Sequence, residues 1–350
     1  MKSLTLVSDK ANKRASFSTK DGKGEKAGSP PLITVITLSY QSPDLFRAIG
    51  SVMEQTYPRI EYFVIDDCSG NFSVEKTESF VSLKKRKNIE RVQIIRNERN
   101  RGTVFSANLA LRLARGEFVF FLAGDDEFHD SRVIEDWTEE FLSTGAKVIT
   151  AYREVYDDKL EKKIVRLPDR MQVKAIRHAP PQKLFEKLAA ENFIFGCCTA
   201  YQLSFIQSLG CFDPSYRLIE DWPFILKVLR QGEKICFFDR SVVKHRGGGT
   251  SSADRINDFY QNENRKIMEQ ESLPYSRHPW LLKKRYRAWE REKKQRNEFE
   301  RRLARNSEHT VRKVLTYGWF FFLHPWKNLC RLFCKPERYC SELARNRRKY

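Results

Sequence analysis

Three pairs of adjacent acids stand out among the residues that could do chemistry: Asp66-Asp67, Asp125-Asp126 and Glu220-Asp221. Side-by-side carboxylates repel one another unless a cation or a hydrogen-bonded ligand offsets the charge. Their hard oxygens, next to a phosphate-bearing substrate, suit Mg²⁺ or Mn²⁺. The plainer alternative at each pair is a polar turn or a helix cap. Between the first two pairs runs Arg96-Asn97-Glu98-Arg99-Asn100-Arg101-Gly102, whose guanidinium groups suit an anion. Far downstream, His245-Arg246 stand in a basic, glycine-rich stretch read as a loop.

These groups need elements to position them. Leu32–Leu38, a run of β-branched and aliphatic residues, and the apolar run Phe118–Leu122 read as strands buried on both faces, and Tyr62–Ile65 and Val92–Ile95 read as strands between them. A helix with Leu45, Ile49, Val52 and Met53 on one face follows the first, with Ser42 as N-cap and Pro43 at its first position. A weaker helix capped by Ser73 follows the second. A helix with Val104, Ala107, Leu111 and Ala114 inward follows the third, stopped by Gly116. Such alternation predicts a parallel, doubly wound α/β sheet with right-handed crossovers. Ligands bind at the carboxyl ends of such strands, where both Asp pairs and the arginine loop fall. Further on we expect a helix from Val133 to Gly145, a strand over Lys147–Tyr152 and a charged surface hairpin over Glu154–Val165. A helix near Leu184–Ala190 and a strand over Phe193–Tyr201 beneath a binding site come next. Glu220-Asp221-Trp222 opens a helix with Phe224, Ile225, Val228 and Leu229 inward, and a strand follows over Ile235–Phe238.

The bulk numbers narrow the field. A formal charge of +19 over 350 residues implies an anionic partner. The eight cysteines form no disulfide framework and no C-x-x-C pair, which reads as reduced thiols in the cytosol and no zinc site. Met1–Lys10 is not a signal peptide, and no run reaches the roughly 18 apolar residues of a transmembrane helix. There is no G-x-G-x-x-G after the first strand, no Walker ending on Gly247–Gly249, no G-x-S-x-G and no H-E-x-x-H. Residues 1–30 read as a flexible arm, 31–253 as the working domain and 254–350 as a basic, aromatic, helical extension. Leu281–Arg305 holds eleven Lys or Arg against four Glu. The aromatic run Tyr317–Leu323 beyond it reads either as an interfacial helix on an anionic membrane or as a helix packed back on the domain.

Taken together the pieces resemble family 2 glycosyltransferases of the GT-A fold, a Rossmann-like, mostly parallel central sheet flanked by helices. The resemblance rests on Val35–Tyr40, Ser51–Pro58, Glu61–Ser69, Asn100-Arg101-Gly102, Asn108, Ala114–Glu117, Leu122–Asp126, Gly210–Asp213 and Glu220-Asp221-Trp222. It covers about residues 33–250, in the family's order and spacing. It implies an inverting transferase taking a sugar from a UDP-sugar or other nucleoside-diphosphate sugar to a hydroxyl of a glycan or lipid-linked acceptor, in cell-surface polysaccharide synthesis. Leu38, Tyr40 and Asp67 would hold the base. Arg101, Asn108, Asp125, His245 and Arg246 would contact the rest of the donor, and Asp125 and Asp126 a divalent cation, Mn²⁺ or Mg²⁺. Asp221 would be the base and Glu220 would orient the base or the acceptor. The family often has an Asp where this chain has Ala123, leaving fewer carboxylates for the ion. The expected place is the cytoplasmic face of the inner membrane, as a peripheral protein; the oligomeric state is not legible. A metal-dependent nucleotidyltransferase of related fold is the alternative. A nucleic-acid binder is disfavoured because the charge lies in the tails.

Overall fold

The computed structural model describes residues 29–157, 159–246, 258–288 and 291. The Gly247–Gly249 stretch, most of the expected N-terminal arm, the Tyr317–Leu323 run and Cys330, Cys334 and Cys340 lie outside them. Pro31 opens the compact unit that holds the strands and helices.

Four parallel strands and their crossover helices come first: β1 (Ile33–Ser39), α1 (Leu45–Met53), β2 (Ile60–Asp66), α2 (Val74–Lys84), β3 (Ile89–Arg96), α3 (Thr103–Leu113) and β4 (Phe118–Ala123). They pair in the order β3-β2-β1-β4. The chain then makes β5 (Glu127–Phe128), α4 (Val133–Thr144), the hairpin β6 (Val148–Tyr156) and β7 (Lys163–Leu167), and helices α5 (Arg170–His178) and α6 (Pro181–Leu188). Next come β8 (Thr199–Gln202), α7 (Leu203–Ser208), α8 (Asp221–Arg230), β9 (Cys236–Arg246) and α9 (Asp258–Ile267). The sheet continues β4-β8-β6-β9-β5, with β7 paired to β6. The long pairings, β6 with β9 included, are parallel; the antiparallel ones are short.

The core has two halves, one on each sheet face. Alternate residues of the central strands feed both: Ile33 and Val35 pack with Leu45, Ile49, Val52, Trp137 and Phe141 of α1 and α4. Ile36 and Phe121 pack with Val104 and Leu111 of α3 and with Ile225 and Leu229 of α8. Burial on both sides is why the central strands read as runs of aliphatic, aromatic and β-branched residues. Ile267, Met268 and Leu282 join the second half, so the segment after β9 is part of this core. Among the described residues no helix is long and apolar enough to cross a membrane.

Several local expectations need correction. Ser73 does cap α2, accepting from Lys76 N, but Ser42 does not cap α1: its Oγ donates to the Gly124 carbonyl at 2.5 Å, and Asp44 takes the cap position without a side-chain capping bond. Gly116 does not stop α3, which ends at Leu113. A Cβ there would meet Thr34 N at 2.6 Å and Thr34 Oγ1 at 2.5 Å. The glycine lets β1 and β4 come together while its N–H reaches the buried Glu61 at 2.9 Å. Phe193–Tyr201 is not one strand; β8 begins only at Thr199, after a 3-10 turn over Gly196–Cys198. The last strand, expected over Ile235–Phe238, runs on through Arg246.

Candidate active site

The carboxyl ends of β1, β2 and β4 lie side by side, with Ser39 opposite Asp66 and Leu38 opposite Ala123. Gly124 N–H donates to the Leu38 carbonyl at 2.8 Å. A Cβ on Gly124 would sit 3.1 Å from the Ser39 Cβ, so glycine permits this close approach.

At the end of β2 the two acids divide the work. Asp66 is fully buried and closes its own turn, accepting from Ser69 N–H at 2.8 Å and Ser69 Oγ at 2.5 Å. Asp67 fastens the arginine loop. It accepts from Arg101 N–H at 2.8 Å, Gly102 N–H at 2.7 Å and the Asn97 amide at 2.8 Å. A carboxylate has about four acceptor positions, so Asp67 keeps room for one more donor. Tyr40, 51% exposed, stands beside it at the end of β1. The Arg101 guanidinium stacks on Phe105, 3.6 Å from the ring centroid. Asn108 uses both ends of its amide on the Phe212 main chain, at 2.8 and 3.0 Å. That pins the turn at Gly210–Cys211, where both residues have positive φ.

The end of β4 meets the end of β9. Asp126 is fully buried and accepts from His245 Nδ1 at 2.9 Å and from Arg246 N–H at 3.0 Å. Burial works against the His245 imidazolium, but Asp126, by charge and hydrogen bond, more than offsets it, and the pKa moves up. The Arg246 guanidinium pairs with Asp44. Asp125 is left differently. Among the described residues no other residue's hydrogen bond to its carboxylate is found, and burial, then the Asp126 charge, push its pKa up to about 6. Asp126, His245 and Cys197 present ligand atoms within 4.8 Å of one another. An under-compensated carboxylate beside an acid–imidazole pair is a donor set that a divalent cation fits.

The turn Gly196–Cys198 joins this cluster to the third acid pair. Gly196 N–H donates to Asp221 Oδ2 at 2.8 Å, the Asn192 amide reaches the same oxygen at 3.4 Å, and Trp222 N–H donates to Oδ1 at 2.6 Å. A Cβ on Gly196 would lie 2.8 Å from Glu220 Oε1. Burial raises both acids, but Asp221 is held back by these N–H donors, and it also sits at the positive end of the α8 dipole. Glu220 is driven well above the usual carboxylate range by burial and then by Asp221. Of the two, Glu220 is pushed further toward its protonated form, and Asp221 is the one whose ionised form fixed N–H donors favour. Tyr201 lies beneath, its buried hydroxyl without a partner among the described residues.

Of the residues anticipated from the sequence, Asp125, Asp126, His245, Glu220 and Asp221 therefore belong to one continuous cluster. Leu38, Tyr40, Asp67 and Arg101 gather at the neighbouring β1–β2 edge, and Asn108 faces the Phe212 turn. Sequence reasoning missed Gly196, Asn192, Cys197 and Arg153. Arg153, on β6, stacks on Phe195 at 3.6 Å from the ring centroid, and its Nη1 lies 3.8 Å from Cys197 Sγ. Among the described residues it makes no ion pair, and its Nε is buried and unbonded. The only signal was an arginine at the inner edge of a charged hairpin.

Residues 34–210, half of the chain, match the family model described as Glycosyl transferase family 2. The chain is 27% identical over 205 residues to the putative teichuronic acid biosynthesis glycosyltransferase TuaG of Bacillus subtilis (strain 168), covering 58% of this chain and 73% of that one. It is also 27% identical over 129 residues to the Escherichia coli UDP-Glc:alpha-D-GlcNAc-diphosphoundecaprenol beta-1,3-glucosyltransferase WfaP, covering 37% of this chain and 47% of that one. Among solved structures it resembles S. aureus TarS 1–349 in complex with UDP-GlcNAc, with a TM-score of 0.53 and 19% identity over 73% of this chain and 70% of that chain. At that identity the likeness speaks to the fold.

Proposed function

The chain belongs to glycosyl transferase family 2 and has the GT-A fold, and we propose that it is an inverting enzyme that moves a sugar from a UDP-sugar to a hydroxyl of a glycan or lipid-linked acceptor. The observation that carries this reading is the bridge from the Asp125-Asp126 turn through His245, Cys197 and Gly196 to Asp221. It sets a cation-seeking acid beside an ionised, oriented carboxylate, the two stations that displacement of a diphosphate requires.

In this reaction Asp221 takes the proton from the acceptor hydroxyl as its oxygen bonds to C1 of the sugar. The bond from C1 to the diphosphate oxygen breaks on the opposite face, and the electron pair leaves with the nucleoside diphosphate. The N–H donors of Gly196 and Trp222 keep Asp221 ionised and aimed, while Glu220, protonated, donates to the acceptor or orients it. Asp67 takes the N3–H of uracil with its remaining acceptor position, and Tyr40 stacks on the base. Asp125 and Asp126, with His245 beside them, would hold Mn²⁺ or Mg²⁺, which supplies neutralisation of charge on the leaving diphosphate. Arg153 adds positive charge from the protein, and His245, hydrogen-bonded to Asp126, orients that acid.

The names of the two relatives given above support a place in cell-surface polysaccharide synthesis. We assign the enzyme to the cytoplasmic face of the inner membrane, held there peripherally by its basic C-terminal region. Trp280 and Leu281, 68% and 40% exposed, adjoin Lys283, Lys284 and Arg285 in helical residues 279–288, a composition that suits an anionic surface. A thermal-shift screen of nucleotide sugars with and without Mn²⁺ tests the central claim. Stabilisation by a UDP-sugar is expected; indifference to every nucleotide would overturn it.

A further inference from the structure

We propose that Glu263 of α9 is a positioning residue: its carboxylate holds the segment Arg217–Ile219, which sets Glu220-Asp221 in place and links them to the loop around Asp67. The inference rests on the transferase reading above.

Glu263 is 6% exposed. One of its oxygens accepts from Arg217 N–H, and the other accepts from Leu218 N–H and Ile219 N–H, each at 3.0 Å. Three consecutive main-chain donors thus converge on one carboxylate. This is the arrangement of an anion-binding nest, with the anion supplied by the protein. The next residue in the chain is Glu220.

The same segment is tied on its other side. The Arg217 carbonyl accepts from Val104 N–H at 3.1 Å, which satisfies one of the open donors at the start of α3. The Arg217 guanidinium donates to the Asn100 carbonyl at 3.0 Å. Gly102 lies flat against it, with φ +90°, and a Cβ there would be 2.4 Å from the Arg217 carbonyl oxygen. Gly102 N–H and Arg101 N–H are the donors that Asp67 holds. One run of contacts therefore leads from Asp67 through Gly102 and Arg217–Ile219 to Asp221, and Glu263 is its outer clamp.

Glu263 lies beyond the residues 34–210 that define the family match, in a segment anchored independently. Ile267, Met268 and Leu282 are in the core, Arg230 pairs with Glu271 at 2.7 Å, and Lys266 Nζ reaches the Ser215 carbonyl at 2.6 Å. With α9 fixed by these contacts, removing the Glu263 carboxylate frees the segment more than it frees the helix.

The test compares wild type, Glu263→Gln and Glu263→Asp. Glutamine keeps the shape but turns an NH₂ toward main-chain N–H groups; aspartate keeps the charge one methylene short. UDP titration counts binding-competent molecules, and turnover is expressed per competent molecule. For Glu263→Gln we expect turnover to fall at least tenfold, with the Kd for UDP within threefold of wild type and partial recovery in Glu263→Asp. A variant that loses competent molecules but turns over normally per competent molecule would reduce Glu263 to a fold-stabilising residue and overturn the proposal. So would an equal loss in both variants, or a Kd that worsens as much as turnover does. If Glu263→Gln does not fold, the same turnover and Kd criteria apply to Glu263→Asp. A wild-type protein that neither binds UDP nor transfers sugar would overturn the transferase reading instead, which separates the two failures.

Discussion

Asp125→Asn should make the cation-free protein more stable at neutral pH. The Asp125 pKa moves from 3.8 to about 6 through burial and the neighbouring Asp126. A raised carboxylate pKa means the folded protein holds this proton better than the unfolded chain. The stability linked to it is complete below about pH 4 and is lost as pH rises through about 6. Each pKa unit corresponds to about 1.4 kcal/mol, so two units set a ceiling of about 3 kcal/mol. Water reaches part of the side chain and screens it, which leaves about half. Asparagine cannot ionise, so its stability does not follow this group across the window. The variant should therefore gain on wild type between pH 4 and pH 7 by about 1–2 kcal/mol, or about 2–8 °C in Tm by the usual scaling. The assay is the difference between the two melting curves at each pH, because the other acids titrate alike in both proteins and cancel. Adding Mn²⁺ with UDP at pH 7 should reverse the order, since ligand binding to the native state stabilises wild type in proportion to RT ln(1 + [L]/Kd). A variant less stable by the same amount at every pH would refute the charge argument. Equal stabilisation of both proteins by Mn²⁺ with UDP would remove Asp125 from the cation site.

Three further outcomes can be checked directly. Asp221→Asn should lower transfer by about 10²–10⁴-fold, the usual size of a general-base contribution, with UDP binding by calorimetry within twofold; a parallel loss of binding would count against its role as base. Arg153→Met keeps the stack on Phe195 but removes the cation, and the Kd for UDP should rise about tenfold, as expected for a charge-assisted hydrogen bond; an unchanged Kd would assign Arg153 to balancing Glu220 and Asp221. The double change Trp280→Ser with Leu281→Ser, both exposed, should weaken sedimentation with anionic vesicles and leave donor hydrolysis intact; unchanged sedimentation would take the helix at residues 279–288 out of the membrane contact.

What the sequence revealed follows from which constraints are local. Strands β1, β2 and β4 were legible because burial on both faces selects aliphatic, aromatic and β-branched residues, and β3, only partly buried, was legible through its Val92, Ile94 and Ile95. The helices were legible because each has one inward face, as Leu45, Ile49, Val52 and Met53 show. The meeting of two acid pairs at one edge was legible because parallel strands end together. What escaped depends on contacts between distant residues. Asp126 and His245 are 119 residues apart, and the three glycines of a presumed loop hid the fact that His245 and Arg246 extend a strand. Gly116 passes for a helix stop unless Thr34 is known to lie against it. Glu263 carries no local mark, because its partners are main-chain donors and any sequence offers those.

The two acid pairs in the cluster obey the same physics, and this assigns their members. In each pair one acid receives main-chain N–H groups: Asp126 from Arg246, Asp221 from Gly196 and Trp222. In each the other acid is governed by burial and then by its charged neighbour, and its pKa rises: Asp125 in one, Glu220 in the other; burial raises Asp221 as well, but its N–H donors oppose the rise. Fixed N–H donors stabilise the ionised form, and a fixed charge next door then discourages a second ionisation. The bonded acid is thus the one whose carboxylate the backbone holds and aims, and its neighbour responds to what arrives. Beside Asp126 the responding acid can release its proton when a cation comes. Beside Asp221 it can keep its proton and offer it as a hydrogen bond. Adjacent acids that look equivalent in the sequence become non-equivalent through the backbone that reaches them, and the assignment of Asp221 rather than Glu220 as base rests on that asymmetry.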